Sequence, residues 1–232
     1  MINLNVVKNH YFVPFFLLIL SADLLFNNTH GLYFLRLFSK PAITITLLLF
    51  YLINSKNRNP KERMLLSTCL ICLFLGDMFL LENTGFYFFP VGFFAFFMAN
   101  IFYSMVLYRS ANLDINKSYP FLAVSAIYLF AIFYLMYDKL ESYFVPVLIY
   151  IFAVLNMIQA AFLRYKVVNH YSFLLVFVGS LLFLLSESIL ALHMFYEPFP
   201  YKNFLIMFFY GISQLLLILG ILGEQKKFRR FG

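Results

Sequence analysis

The chain has 232 residues, 63% of them hydrophobic and 22% aromatic but only 12% charged, with a mean hydropathy of +0.86. A soluble domain is about half apolar and a quarter charged, so this composition excludes one and indicates an integral membrane protein. The net charge of +7 does not call for nucleic acid as a partner, because the basic residues are confined to short loops and the tail, where a positive-inside bias accounts for them.

A hydrocarbon core needs about 20 apolar residues per crossing helix. By that rule the sequence predicts an all-α integral membrane protein, a single polytopic domain with eight transmembrane helices. The expected spans are residues 11–27, 39–54, 63–82, 89–108, 119–137, 144–163, 172–193 and 202–223. The first resembles a signal peptide, but Ser21-Ala22-Asp23 is a poor cleavage site and the apolar run continues past it, so it is read as a retained span. Asp23 and Glu82 lie near enough to span ends to be read as solvated. The second span opens on an amphipathic stretch, Gly31–Lys40, that suits a tilted helix start or an interfacial segment. Polar loops at Ser55–Arg63 and Ala111–Ser118 separate later spans. Cys69 and Cys72 sit within the apolar third span and are read as packing residues rather than a redox pair. Trp is absent, so Tyr is expected to anchor the interfaces.

Orientation follows from the cations. With eight spans, Arg36, Lys40, Lys139 and Lys202 fall on one side and the other 13 of the 17 basic residues on the opposite side, which puts both termini in the cytoplasm. A bacterial plasma membrane is the expected location. Spans 3 and 7 each carry an acid late in the helix, and spans 4 and 8 each carry an amide and a tyrosine. That weak echo is compatible with two parallel four-helix halves.

Two residues concentrate the chemistry. Asp77 and Glu187 are carboxylates inside otherwise apolar helices, and a charge there is costly enough to mark a functional site by default. An interior Lys or Arg would turn either into a structural ion pair, and the expected spans place none in their interiors. At a rise of 1.5 Å per residue both acids lie in the outer half of the bilayer. On the same reasoning Lys40 enters from that side, while Asn100, Tyr103, Tyr210 and Gln214 lie nearer the middle. These residues are expected to converge on one outward-facing cavity. Asn100, Tyr103 and Ser104 form one helical stripe, as do Tyr210, Ser213 and Gln214, and Ser186 and Ser188 flank Glu187. Gly92, Ala95 and Ala99 offer a small-residue strip for close helix contact. Each amide, hydroxyl and tyrosine taken singly is also an ordinary interhelical hydrogen-bond partner, and Lys40 also suits a snorkelling role. His10, His30, His170 and His193 lie at span ends or in loops, which disfavours a histidine metal site.

Several stretches resemble the YhhN family of eight-span membrane proteins, which includes the lysoplasmalogenases. They are Lys40-Pro41, Gly76-Asp77, Gly92 with Phe96, Asn100 and Tyr103, Gly179 with Phe183, Ser186 and Glu187, and Tyr210 with Gln214. Two positions depart from the family pattern, which usually has His at Asn100 and Asp at Glu187. The resemblance implies hydrolysis of the vinyl-ether bond of a lysoplasmalogen-type lysophospholipid drawn from the membrane, without metal or cofactor. It implies Asp77 and Glu187 as the catalytic pair, with Lys40, Asn100, Tyr103, Ser186, Tyr210 and Gln214 binding substrate. Lys40, with Arg36, would meet the lipid phosphate. The rival expectation is a proton-coupled carrier of a small molecule or lipid, which also uses intramembrane acids.

Overall fold

In a computed structural model, residues 4–29, 32–81, 88–113, 115–197 and 200–225 are described. Glu82, His30 and the tail cations Lys226, Lys227, Arg229 and Arg230 lie outside these residues. The fold is all-α. Among the described residues it has eight α-helices: α1 (Leu4–Asn28), α2 (Arg36–Asn54), α3 (Pro60–Phe79), α4 (Phe89–Tyr108), α5 (Ile115–Leu140), α6 (Phe144–Phe162), α7 (His170–Phe195) and α8 (Lys202–Leu222). Single 3-10 turns at Tyr33–Leu35 and Glu141–Tyr143 lead into α2 and α6.

Six of the helices, α2 and α4 to α8, are long and apolar enough to cross a membrane. The other two fall short for identifiable reasons. The apolar part of α1, Tyr11–Asn27, is brief. Helix α3 carries Lys61, Glu62 and Arg63 in its first turn and Asp77 in its last. Several helices outrun the apolar windows because hydropathy marks what lipid accepts and not where the backbone hydrogen bonds end. Consequently Pro14 lies well inside α1 rather than near its end, and Pro120 falls inside α5.

The chain divides into two compact units, Met1–Phe102 and Tyr103–Gly232, so the division falls inside α4 and not between the fourth and fifth helices. In the first unit α2 packs against both α1 and α3. Helix α3 starts where Asn59 accepts the amide of Lys61 at 2.9 Å and Pro60 takes the first position, with Glu62 in the first turn. Each of these suits the exposed amides and positive dipole end of a helix start. Its last turn interlocks with α4. A Cβ on Gly76 would lie 2.5 Å from the ring of Phe96, and one on Gly92 would lie 2.7 Å from Leu80. The expected small-residue strip is therefore used, and Cys69 Sγ, buried, lies 3.2 Å from the carbonyl oxygen of Ala99. Both cysteines are free thiols.

In the second unit α7 packs along α8 more extensively than any other helix pair. The contact has a seven-residue rhythm. Ser172 Oγ donates to the carbonyl of Gly220 at 2.6 Å, a Cβ on Gly179 would lie 3.1 Å from the carbonyl of Ser213, and Ser186 Oγ donates to the carbonyl of Ile206 at 2.9 Å. Steps of seven along α7 meet steps of seven back along α8. This is an antiparallel seam in which small side chains let two backbones approach, as lipid-embedded helices require when no hydrophobic drive separates helix from lipid. Helix α5 is the outlier, with 17% of its apolar window buried against 61% in α8, so most of its surface is left for lipid. At the other end of α8, Glu224 meets the fully buried Arg164 at 3.2 Å, and Gln225 exchanges hydrogen bonds with Asn169. That pins the end of α8 to the α6–α7 connection.

Candidate functional site

Helix α2 carries the first unit's polar cluster. Arg36, Lys40 and Thr44 recur every four residues, so they lie on one helical stripe with Ser39 beside it, and all four side chains are buried. The stripe faces two acids. Ser39 Oγ donates to Asp23 Oδ1 at 2.5 Å, and Thr44 Oγ1 donates to Asp77 Oδ2 at 2.5 Å. Lys40 Nζ stands 3.8 Å from Asp77 Oδ1.

This geometry corrects two expectations. Asp77 does have a basic partner, and it is Lys40. The 3-10 turn leads the chain into α2 already at Arg36, so Lys40 lies beyond the first turn, and its long stem carries the ammonium to the end of α3. Lys40 is only 6% exposed, which is burial rather than snorkelling. Asp23 is likewise not solvated at an interface. It is fully buried, and its Oδ2 has no hydrogen-bond partner among the described residues. Asn100, also buried, turns its amide nitrogen back to the carbonyl of Phe96 one turn earlier, at 2.9 Å.

In the second unit Glu187 is half-buried, and its Oε2 accepts the phenol of Tyr150 on α6 at 2.8 Å. The next residue, Ser188, meets the phenol of Tyr128 on α5 at 2.8 Å. Two tyrosines from neighbouring helices thus tend consecutive positions of α7. Tyr103 donates to Gln214 Oε1 at 2.6 Å, and both side chains are buried. Tyr210, also buried, lies beside Phe183 with 6.3 Å between ring centroids. Ser186 is committed to the seam with α8 through its bond to Ile206.

The structure therefore brings together Lys40 with Asp77, and Tyr103 with Gln214. Asp77 and Asn100 belong to the first unit, Glu187, Tyr210 and Ser186 to the second. Sequence reasoning missed Thr44, Ser39, Tyr150 and Tyr128. Thr44 had a signal, since it repeats the spacing of Arg36 and Lys40. Tyr150 and Tyr128 give no such signal, since tyrosine is expected to anchor the interfaces, although Tyr150 shares a buried stripe with Val147 and Val154. Among the described residues no three His, Cys, Asp or Glu side chains group as metal ligands.

No curated protein and no solved structure matches the chain. The model of the YhhN family matches residues 35–221, from the residue before α2 to the last turn of α8, and so takes in both Asp77 and Glu187. The chain belongs to the YhhN family.

Proposed function

We propose that the chain is a membrane hydrolase that cleaves the vinyl-ether bond of lysoplasmalogen-type lysophospholipids. The observation that carries this reading is Asp77, a buried carboxylate at the end of an apolar helix, met by a hydroxyl and an ammonium at 2.5 and 3.8 Å. Keeping such a cluster out of water is costly, and a purely structural role is served as well by apolar side chains of similar size.

The chemistry suits carboxylates. A carboxyl group protonates the outer alkene carbon of the vinyl ether, leaving an oxocarbenium-like cation on the carbon attached to oxygen. A carboxylate takes a proton from water as that water adds to the cation. The resulting hemiacetal collapses, breaking its carbon–oxygen bond to the glycerol, and yields a fatty aldehyde and a glycerophospho-alcohol. Overall one water is consumed and nothing is oxidised or reduced. The division between acid and base resembles that of glycosidases. Asp77 and Glu187 are the two carboxyl groups in this reading. Asn100, Tyr103, Tyr210 and Gln214 orient water and the glycerol oxygens, Ser186 sets the position of Glu187, and Arg36 and Lys40 are the cations available to the lipid phosphate. The membrane is crossed eight times, with both termini cytoplasmic.

The test is to incubate the purified protein in detergent with lysoplasmalogen and assay free aldehyde. Release by the wild type, lost in Asp77→Asn and in Glu187→Gln with folding intact, supports the reading. No aldehyde from the wild type, with substrate-dependent proton uptake into liposomes, would overturn it in favour of a proton-coupled carrier. A C-terminal reporter found outside the cytoplasm would overturn the topology.

A further inference from the structure

The connection from α2 to α3 forms an open surface pocket of about 330 Å³ that the hydrolase reading leaves unused. Its walls are Leu52, Lys56, Arg58, Pro60, Arg63, Met64 and Ser67, so three of seven are cationic, one carries a hydroxyl and three are apolar. One charge is compensated, because Arg58 pairs with Glu62 one turn on. Among the described residues the other two form no ion pair of that kind. Arg63 is fixed at its tip by a hydrogen bond to the carbonyl of Leu52 at 3.3 Å, while its Nε is buried with no hydrogen-bond partner among the described residues. Lys56 is exposed.

We propose that this pocket binds the phosphodiester headgroup of an anionic phospholipid. Two observations beyond charge point to a lipid rather than a free anion. The cations share the pocket with Leu52, Pro60 and Met64, and Met64 is 64% exposed. On α2, Leu49 and Ile53, 55% and 56% exposed, continue an apolar stripe away from the loop at four-residue spacing. A polar, cation-lined mouth adjoining exposed aliphatic side chains matches an amphiphile with an anionic head. Basic pockets at the ends of membrane helices recognise headgroups in this way, each cation near the surface strengthening binding several-fold. The site stands independently of the hydrolase reading, since none of its residues is assigned to that chemistry.

The experiment uses the full chain in neutral detergent and follows its thermal unfolding midpoint during titration. The probes are short-chain phosphatidylglycerol, phosphatidylcholine of the same chain length, and inorganic phosphate. Phosphatidylglycerol should raise the midpoint saturably, and phosphatidylcholine should not. Lys56→Gln or Arg58→Gln should each weaken the lipid about fivefold, and the double variant about 30-fold. Added salt should weaken it further in the wild type than in the double variant. Arg58→Gln also removes the pair with Glu62, and Arg63→Gln the tie to Leu52, so Lys56→Gln is the least intrusive variant and the lipid-free midpoint of each variant checks its fold. An equal shift with phosphatidylcholine, or unchanged affinity in the double variant, would overturn the proposal. A shift of the same size with inorganic phosphate alone would assign the site to a free anion and overturn its lipid character.

Discussion

Asp77 and Glu187 look alike in the sequence, each an acid late in an apolar helix, yet their surroundings differ in kind. Asp77 is almost fully buried and meets a cation and a hydroxyl that both come from α2. Glu187, one methylene longer, is half-buried and meets the phenol of Tyr150. The short acid is held by a charge and a hydroxyl on one rigid stripe; the long one leans on the neutral phenol of another helix. Equivalent position in a hydropathy profile therefore does not imply equivalent electrostatics, and the two acids should respond differently to the loss of their neighbours.

The largest effect should come from the acids themselves. If both serve the proposed chemistry, Asp77→Asn and Glu187→Gln should each lower aldehyde release by about 10²- to 10⁴-fold, measured at saturating substrate. A loss in only one would break the comparison and leave the other acid structural. Next comes the partner of Asp77. Lys40→Met leaves the buried Asp77 carboxylate with the Thr44 hydroxyl but without its cation, and should cost about 3–5 kcal/mol in unfolding experiments. The double variant Lys40→Met/Asp77→Asn should recover part of that stability while remaining inactive, which separates folding from chemistry.

Smaller effects should sharpen the contrast. Thr44→Val and Tyr150→Phe each delete one hydrogen bond to a carboxyl group, for which about 1.5–3 kcal/mol is typical. Thr44→Val should lie at the upper end because both it and Asp77 are almost fully buried, and a larger loss from Tyr150→Phe would invert the ranking drawn above. Gly179→Ala, which touches neither acid directly, should cost about 1–3 kcal/mol by pushing a methyl against the backbone of α8.

Much of the helical layout was legible because lipid imposes a length and a composition on anything that crosses it. The fourth span was read at residues 89–108, where α4 lies, and the expectation for α8 differs from its observed end by one residue. What hydropathy could not show was where helices continue into polar sequence. Helix α2 starts at Arg36, three residues before its expected span, and that shift converts Lys40 from an interfacial cation into the partner of Asp77. The pairing also joins residues far apart in the chain, which no local pattern encodes. Tyr150 escaped notice for a different reason: tyrosine serves both interfaces and interiors, and only packing tells which. The seam of Ser172, Gly179 and Ser186 was present as a seven-residue spacing, and two of its three members stand in the stretch that resembled the family.

That seam works as a depth gauge. Serine and glycine backbones clasped to α8 at three successive levels leave α7 no freedom to slide like a piston, because moving one turn would drive Leu175 or Phe183 into spaces sized for a hydroxyl or a hydrogen. Glu187 follows directly after the last clasp, so its height and its compass bearing are both set by α8. Inserting a single residue between Gly179 and Ser186 would swing the acid about 100° around the helix axis and lift it about 1.5 Å, moving it away from Tyr150 without changing any residue of the cluster.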